Sequence, residues 1–451
     1  MIIRNNSIEV DADIINVGEF AKLANISSDQ IIDGIKTFSS SPIVPTPTTD
    51  TQVATKGYVD AQVNKVKPGS DSIYTGSYGL EWDETNDTYT RLGSSNYTAI
   101  QSMMKRCVLN ADGTVKYYLH PENSNYKMDG TPSKLDGTDG NVMVEIPKTY
   151  LKYTYDTTVG VKHRWEISLT PDPGYEVHWA HMHPTEKEFR YYPAYLGYES
   201  GGKLISRSGV YPTVSQTIAQ FRTLATANGS GWHQIDFALY ELITLFAIIE
   251  YGTMNIQATL GQGRTALTGG TWVNGSYIGI NGLSNNVGNG TANYTYAGDA
   301  DDASADMSFM SYRGCENFFG NVWRFADGIN CRGAGGAAVA NKEIWLNSNP
   351  ATYASDVFSG DYVREGTFTT SATNGYARTL ANSKKGMFPI SVSGGSSTVG
   401  TTDYYYTSTT TNTIALVGGG ADDGLYAGPL HLVVRSAASL ASVYVGAGVS
   451  R

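Results

Sequence analysis

Charge is scarce in this 451-residue chain: 16% of its residues are Asp, Glu, Lys or Arg, and the formal net charge is -10. No run of lysines and arginines offsets the acidic excess. That excludes a nucleic-acid backbone or an anionic membrane surface as the main partner. Cysteine is equally sparse. Cys107, Cys315 and Cys331 are too few and too scattered for a disulfide framework or a Cys-based zinc site, and they fit folding in a reducing cytoplasm. Long apolar runs are missing as well. The most apolar stretch, Phe237 to Gly252, is shorter than a membrane span and contains Glu241, so no bilayer insertion is expected. The first residues, MIIRNNSIEVDADII, lack the continuous apolar core of a signal peptide. Neither a GxSxG elbow nor an HExxH pair occurs.

Glycine and tyrosine are abundant instead, with 50 Gly and 31 Tyr against 13 Phe. Such a composition predicts a β- and loop-rich protein, long enough for more than one domain. Tyrosine combines a large ring with a polar tip, which suits either a binding surface or the filling of strand edges. Composition leaves both readings open.

Residues 1 to about 70 differ in texture from the rest. Ile8 to Val17 reads as a short strand pair and Ser27 to Phe38 as a capped turn of helix. Three prolines in SSSPIVPTPTTD (Ser39 to Asp50) impose an extended linker. Thr51 to Val66 reads as a helix capped by Asp50 or Thr51, with Val59, Val63 and Val66 on one face at heptad spacing. A single short helix cannot bury that stripe, so self-association, as a homotrimer, is expected. Two turns alone are too weak to hold it. The PGSDS run (Pro68 to Ser72) ends the segment.

Beyond it the spacing predicts strands at Val115 to His120, Asn141 to Tyr155 and His163 to Leu169, and helices at Tyr97 to Arg106, Ser215 to Ala227 and Phe237 to Gly252. Asp236 is the expected N-cap and Gly252 the expected C-terminal stop of the last helix, which is apolar nearly all round and belongs at the centre of the core. GNVWRFADG (Gly320 to Gly328) reads as a core strand, with Trp323 and Phe325 alternating against Val322 and Arg324.

Two resemblances follow from these stretches. IKTFSSSPIVPTPTTDTQVATKGYVDAQV is similar to a segment recurring in the N-terminal parts of bacteriophage tail-fibre and receptor-binding proteins. The runs GNVMVEIPKTYLKY, ALYELITLFAIIEYGTMNIQATLGQG, YRGCENFFGNVWRFADGIN, DYYYTSTTTNTIALVGG and SAASLASVYVGAGVSR resemble phage proteins with a C-type-lectin-like fold. In part of that family the C-terminal surface is diversified by retroelement-directed mutagenesis, and the fold is shared with formylglycine-generating enzymes. The resemblance implies an α+β chain. Residues 1–50 would be a virion-attachment segment with a Pro-rich linker, 51–72 a short helical trimerisation stalk, and 73–451 a domain of twisted antiparallel sheets, two main helices and long loops. Formylglycine generation needs paired cysteines near the C-terminus, and none occurs after Cys331. That departure removes the chemistry and leaves the scaffold.

Other constellations carry little. His178, His181 and His183, followed by Glu186, could ligate a metal, but only His181 and His183 have strand spacing; the expectation is polar surface. The acidic run Gly298 to Asp306 fails the EF-hand pattern, because Ala303 and Met310 stand where oxygen ligands are needed. Glycoside hydrolysis would need two facing carboxylates; Glu145, Glu241, Glu250 and Asp327 are candidates that sequence cannot pair. No catalytic residue, metal or cofactor is therefore assigned.

The last forty residues are the expected functional surface. Apolar and glycine positions frame side chains of no consistent chemistry: Asn412, Asp422, Asp423, Leu425, Tyr426, His431, Val433, Arg435, Leu440, Ser442 and Tyr444. Catalysis needs a few groups in fixed roles, whereas a recognition surface needs a rigid backbone under varied side chains. Alternation in LHLVVR places His431, Val433 and Arg435 on one face of a strand; a plain edge strand is the plainer reading. The expectation is a receptor-binding protein of the virion, at the tail fibre or tail tip, assembled in the bacterial cytoplasm. Its partners would be a protein or glycan on the host surface and, through the N-terminus, other tail or baseplate proteins. A tail-spike enzyme degrading surface polysaccharide and a structural baseplate or decoration protein are the alternatives.

Overall fold

In the computed structural model the described residues are 76–451, together with the backbone of two short N-terminal strands, Ile2–Arg4 and Ser7–Glu9, which pair antiparallel. The chain divides into two compact units, Met1–Lys65 and Val66–Arg451. The expected helix at Thr51 to Val66, with Val59, Val63 and Val66, the expected capped turn at Ser27 to Phe38, and most of the expected strand pair at Ile8 to Val17 lie outside the described residues.

The second unit is mixed α+β and rich in sheet. Its first sheet has the strand order Glu176–Val177, Tyr150–Asp156, Lys162–Ser168, Tyr78–Asp83, Thr88–Gly93, all antiparallel. A second antiparallel sheet runs Phe189–Pro193, Asn141–Pro147, Lys105–Leu109, Val115–His120, Asn123–Lys127. The expected strand Asn141 to Tyr155 is thus two strands, broken at Lys148 and Thr149, and each half joins a different sheet.

The largest sheet has eight strands. Its central path is Lys342–Leu346, Trp323–Gly333, Asn412–Gly418, Gly428–Ser436, Tyr404–Thr407, with Val363–Arg364 and Gly375–Tyr376 at its two edges. Most pairings are antiparallel, but Tyr404–Thr407 runs parallel to Gly428–Ser436, and the short Val445–Gly446 strand runs parallel to Trp323–Gly333. The Trp323–Gly333 strand is buried on both faces, Arg324 included. That is more enclosure than the half-buried alternation of its sequence implies.

The Phe237–Tyr251 helix lies at the centre of the core, as its near-continuous apolar sequence requires. Asp236 caps it, accepting from the Leu239 N–H at 2.9 Å, and Gly252 ends it at φ 71. The second main helix, Ile218–Thr226, begins three residues later than expected. Thr217 and Gln220 form a reciprocal capping box that fixes the start. A third α-helix among the described residues, Ile256–Leu260, is a single short turn.

The expected helix at Tyr97 to Arg106 is not formed. Ile100, Met103 and Met104 are buried by one 3₁₀ turn, Gln101–Met103, and the chain then enters the Lys105–Leu109 strand. Pairing with Asn141–Pro147 outcompetes local helical spacing there.

Two core clusters meet across the large sheet. One joins Leu432 and Val434 to the central helix; the other joins Val433, Trp323, Phe325 and Leu416 to Phe221 of the Ile218–Thr226 helix. The Gly428–Ser436 strand therefore has core on both faces, and strands on both sides.

Candidate functional site

The Asn412–Gly418 and Gly428–Ser436 strands form a hairpin whose connection, Gly419 to Ala427, carries four of the expected surface residues. Glycine is required at its base. Gly419 has φ 75, and a Cβ there would stand 2.7 Å from the Ala427 Cβ. A Cβ on Gly420 would meet the Trp272 ring at 2.8 Å. With its base packed that closely, the connection holds Asp422, Leu425 and Tyr426 outward. Leu425 is 50% exposed and Tyr426 40%.

An aromatic cluster surrounds this connection. Tyr426 packs on Tyr404 with ring centroids 4.4 Å apart and on Tyr376 at 5.7 Å; Tyr404 in turn meets Tyr406 at 4.7 Å. The guanidinium of Arg435, on the exposed end of its strand, sits 4.5 Å from the Tyr406 ring centroid. On the other side Trp272 meets Tyr444 at 5.9 Å and Tyr277 at 5.3 Å.

The two acids differ from ordinary surface carboxylates. Burial of its carboxylate, reinforced by neighbouring Asp422, pushes Asp423 up to about 7; the Gly420 N–H, donated at 2.5 Å, and Arg435 oppose the shift. Burial also raises Asp422. The carboxylate of Asp423 is thus nearly enclosed, although the residue as a whole is half-buried.

Asp422, Asp423, Leu425, Tyr426, Arg435 and Tyr444 are brought into one neighbourhood. His431 and Val433 correct the expectation of a solvent-facing strand. They do share a face with Arg435, but that face is covered: His431 is wholly buried, edge-on to Trp323 at 4.3 Å, and Val433 lies in the second core cluster. Both ring nitrogens of His431 lack hydrogen-bond partners, and burial lowers the group to about 3, so the ring is neutral. Nor is this strand an edge strand. Leu440 packs half-buried against the second core, and the Ser442 carbonyl accepts from the Ser215 N–H. Asn412 pairs with Arg332 at the far end of its strand from the connection. Sequence reasoning missed Trp272, Tyr376, Tyr404 and Tyr406. A signal existed for two of them: in the YYY run, period-two spacing puts Tyr404 and Tyr406 on one face, with Tyr405 buried on the other.

The histidine run does not act as a unit, and it is interior, against the expectation of polar surface. His178 Nε2 lies 3.0 Å from Glu241 Oε2, His181 Nδ1 lies 3.1 Å from the Lys187 carbonyl, and His183 Nε2 lies 3.1 Å from His233 Nε2. His183, His233 and Asp236 do present ligand atoms within 4.8 Å of one another. The Gln234 carbonyl, 2.7 Å from His233 Nδ1, even orients that ring as in many metal sites. Yet Arg190 Nη2 already occupies the place, 2.6 Å from Asp236 Oδ2 and 3.4 Å from His233 Nε2. A divalent cation would meet a buried positive charge there, so the donor set does not fit one.

Each candidate carboxylate has its own partners. Glu145 pairs with Lys105 at 3.3 Å and accepts from two tyrosine hydroxyls; Glu250 pairs with Arg313; Asp327 receives both Arg222 Nε at 2.7 Å and Nη2 at 2.9 Å. The three cysteines are buried and unpaired. Among the described residues, no helix is long and apolar enough to cross a membrane. Neither a protein-family model nor a curated protein matches the chain.

Proposed function

We propose that the chain is a phage receptor-binding protein that recognises the host cell surface through its hairpin connection and the aromatic cluster around it. One observation carries the reading: Leu425 and Tyr426 stand exposed on a glycine-based turn, against Tyr376, Tyr404, Tyr406 and Arg435, above a strand buried on both faces. Aromatic and arginine side chains on a rigid support are the usual anchors of a recognition surface. The enclosing sheets and two main helices agree with a C-type-lectin-like domain, which belongs to the same proposal.

In this reading residues 1–72 attach the chain to the virion tail and bring three copies together, so that modest single contacts gain avidity. The mechanism is binding rather than bond-breaking. Replacing Leu425, Tyr426 and Arg435 together by Ala tests it. Adsorption of particles carrying the variant should fall at least tenfold, while the thermal midpoint moves by less than about 2 °C, since surface substitutions cost little. Normal adsorption by the variant would sink the assignment. Tyr444 is left out of the test because it packs on Trp272 and the second core cluster.

A further inference from the structure

A cleft of about 450 Å³ opens between the edges of two sheets, within the ~300–1,000 Å³ usual for small-molecule sites. One wall is the Glu176–Val177 edge strand of the first sheet; the other includes Leu346 and Val363 from the large sheet. It shares no lining residue with the hairpin connection.

Two aromatic residues, Tyr153 and Trp179, line the cleft. Both are fixed: Tyr153 bonds to His163 Nδ1 at 2.9 Å, and Trp179 packs on Phe237 with centroids 6.3 Å apart. Around them stand two carboxylates, Glu176 and Asp361, and two ammonium groups, Lys384 and Lys385, so the formal charge of these four is 2 − 2 = 0. Lys384 pairs with Glu176, and Lys385 lies 3.8 Å from Glu365. Asp361 accepts from Asn349 at 2.9 Å and Thr352 at 2.7 Å, both on Oδ2, which leaves Oδ1 its acceptor capacity.

Rigid rings beside interleaved donors and acceptors, with no net charge, define a ligand. It needs a flat apolar face, hydroxyls that both give and accept, and no charge of its own. An ionic ligand would gain little from a neutral lining and would leave half of its polar groups mismatched. We propose that this cleft binds a neutral saccharide, a monosaccharide or disaccharide, through stacking on Tyr153 and Trp179 and hydrogen bonds to Asp361 and Lys384. It would be a second recognition site, independent of the hairpin surface.

Saturation-transfer NMR on the full chain tests this with the methyl glycosides of glucose, galactose, mannose and N-acetylglucosamine, with methyl glucuronide as the anionic comparison. At least one neutral glycoside should bind. Asp361→Ala and Lys384→Ala should each weaken it severalfold, and together at least tenfold, while Tyr426→Ala leaves it unchanged. Lys384 pairs only with an exposed carboxylate, so its removal keeps the fold intact even if Trp179→Ala does not. The proposal is overturned if no neutral glycoside binds, if methyl glucuronide binds better, or if the double variant retains full binding. Loss of binding in Tyr426→Ala alone would move the sugar to the hairpin surface and equally overturn the cleft.

Discussion

Asp423 ties the surface of the hairpin to the stability of the whole unit, and Asp423→Asn measures the link. An aspartate whose folded pKa is raised from 3.8 to about 7 keeps its proton in the folded chain over a pH range where the unfolded chain has lost it. Its favourable contribution is complete below the unfolded value and disappears as pH rises through the folded one. A shift of roughly three units corresponds to at most ~4 kcal/mol. Partial access of the residue to water reduces this to about 2 kcal/mol. Asn can still accept the Gly420 N–H but carries no titration. For a unit of this size the unfolding entropy is about 0.8 kcal/mol/K, so about 2 kcal/mol corresponds to roughly 2–3 °C.

The assay is a pair of thermal scans, variant and parent, at steps between about pH 4.5 and 8.5. Other groups titrate in that interval. Burial lowers His233 to about 4 and His431 to about 3, so both cost stability as pH falls through the ordinary histidine value. These contributions are common to both proteins and cancel in the difference. The variant's midpoint minus the parent's should therefore climb by roughly 2 °C from the acid to the alkaline end, since about a quarter of the change lies below pH 4.5. A difference that stays flat across the interval would refute the enclosure of this carboxylate.

Two further outcomes follow from the interior. Arg190→Ala strands Asp236, whose carboxylate is 1% exposed and bound to Arg190 at 2.6 Å; stability should fall by about 3–5 kcal/mol, read as a thermal midpoint lowered by roughly 4–6 °C. Stoichiometric zinc should leave the midpoint of the parent protein unchanged, because the guanidinium already holds the place between His183, His233 and Asp236; a rise of more than about 2 °C would contradict that occupancy.

Much of the scaffold was legible where local signals agreed with the global fold. Asp236 and Gly252 bracket the central helix because cap chemistry and apolar length point the same way. The Val115–His120 strand coincides with its expected range for the same reason. Long-range pairing decided the failures. Nothing local distinguishes Tyr97 to Arg106 from a helix; the partner strand at Asn141–Pro147 lies more than thirty residues away. Alternation in LHLVVR correctly grouped His431, Val433 and Arg435, but a period-two pattern cannot say that an aromatic layer closes over that face. Trp272 and Tyr376 escaped notice because they come from loops and edges distant in sequence, brought to the hairpin only by the sheet.

The close-packed glycine base separates two jobs within one hairpin. The strands on either side answer to the interior, where even a methyl group at Gly419 or Gly420 would collide with Ala427 or Trp272. Leu425 and Tyr426 answer to solvent, whereas Ala421 between them and the base is buried and Asp423 is held by the Gly420 N–H. Replacing the Leu425 and Tyr426 side chains changes what the molecule presents without asking the sheet to repack.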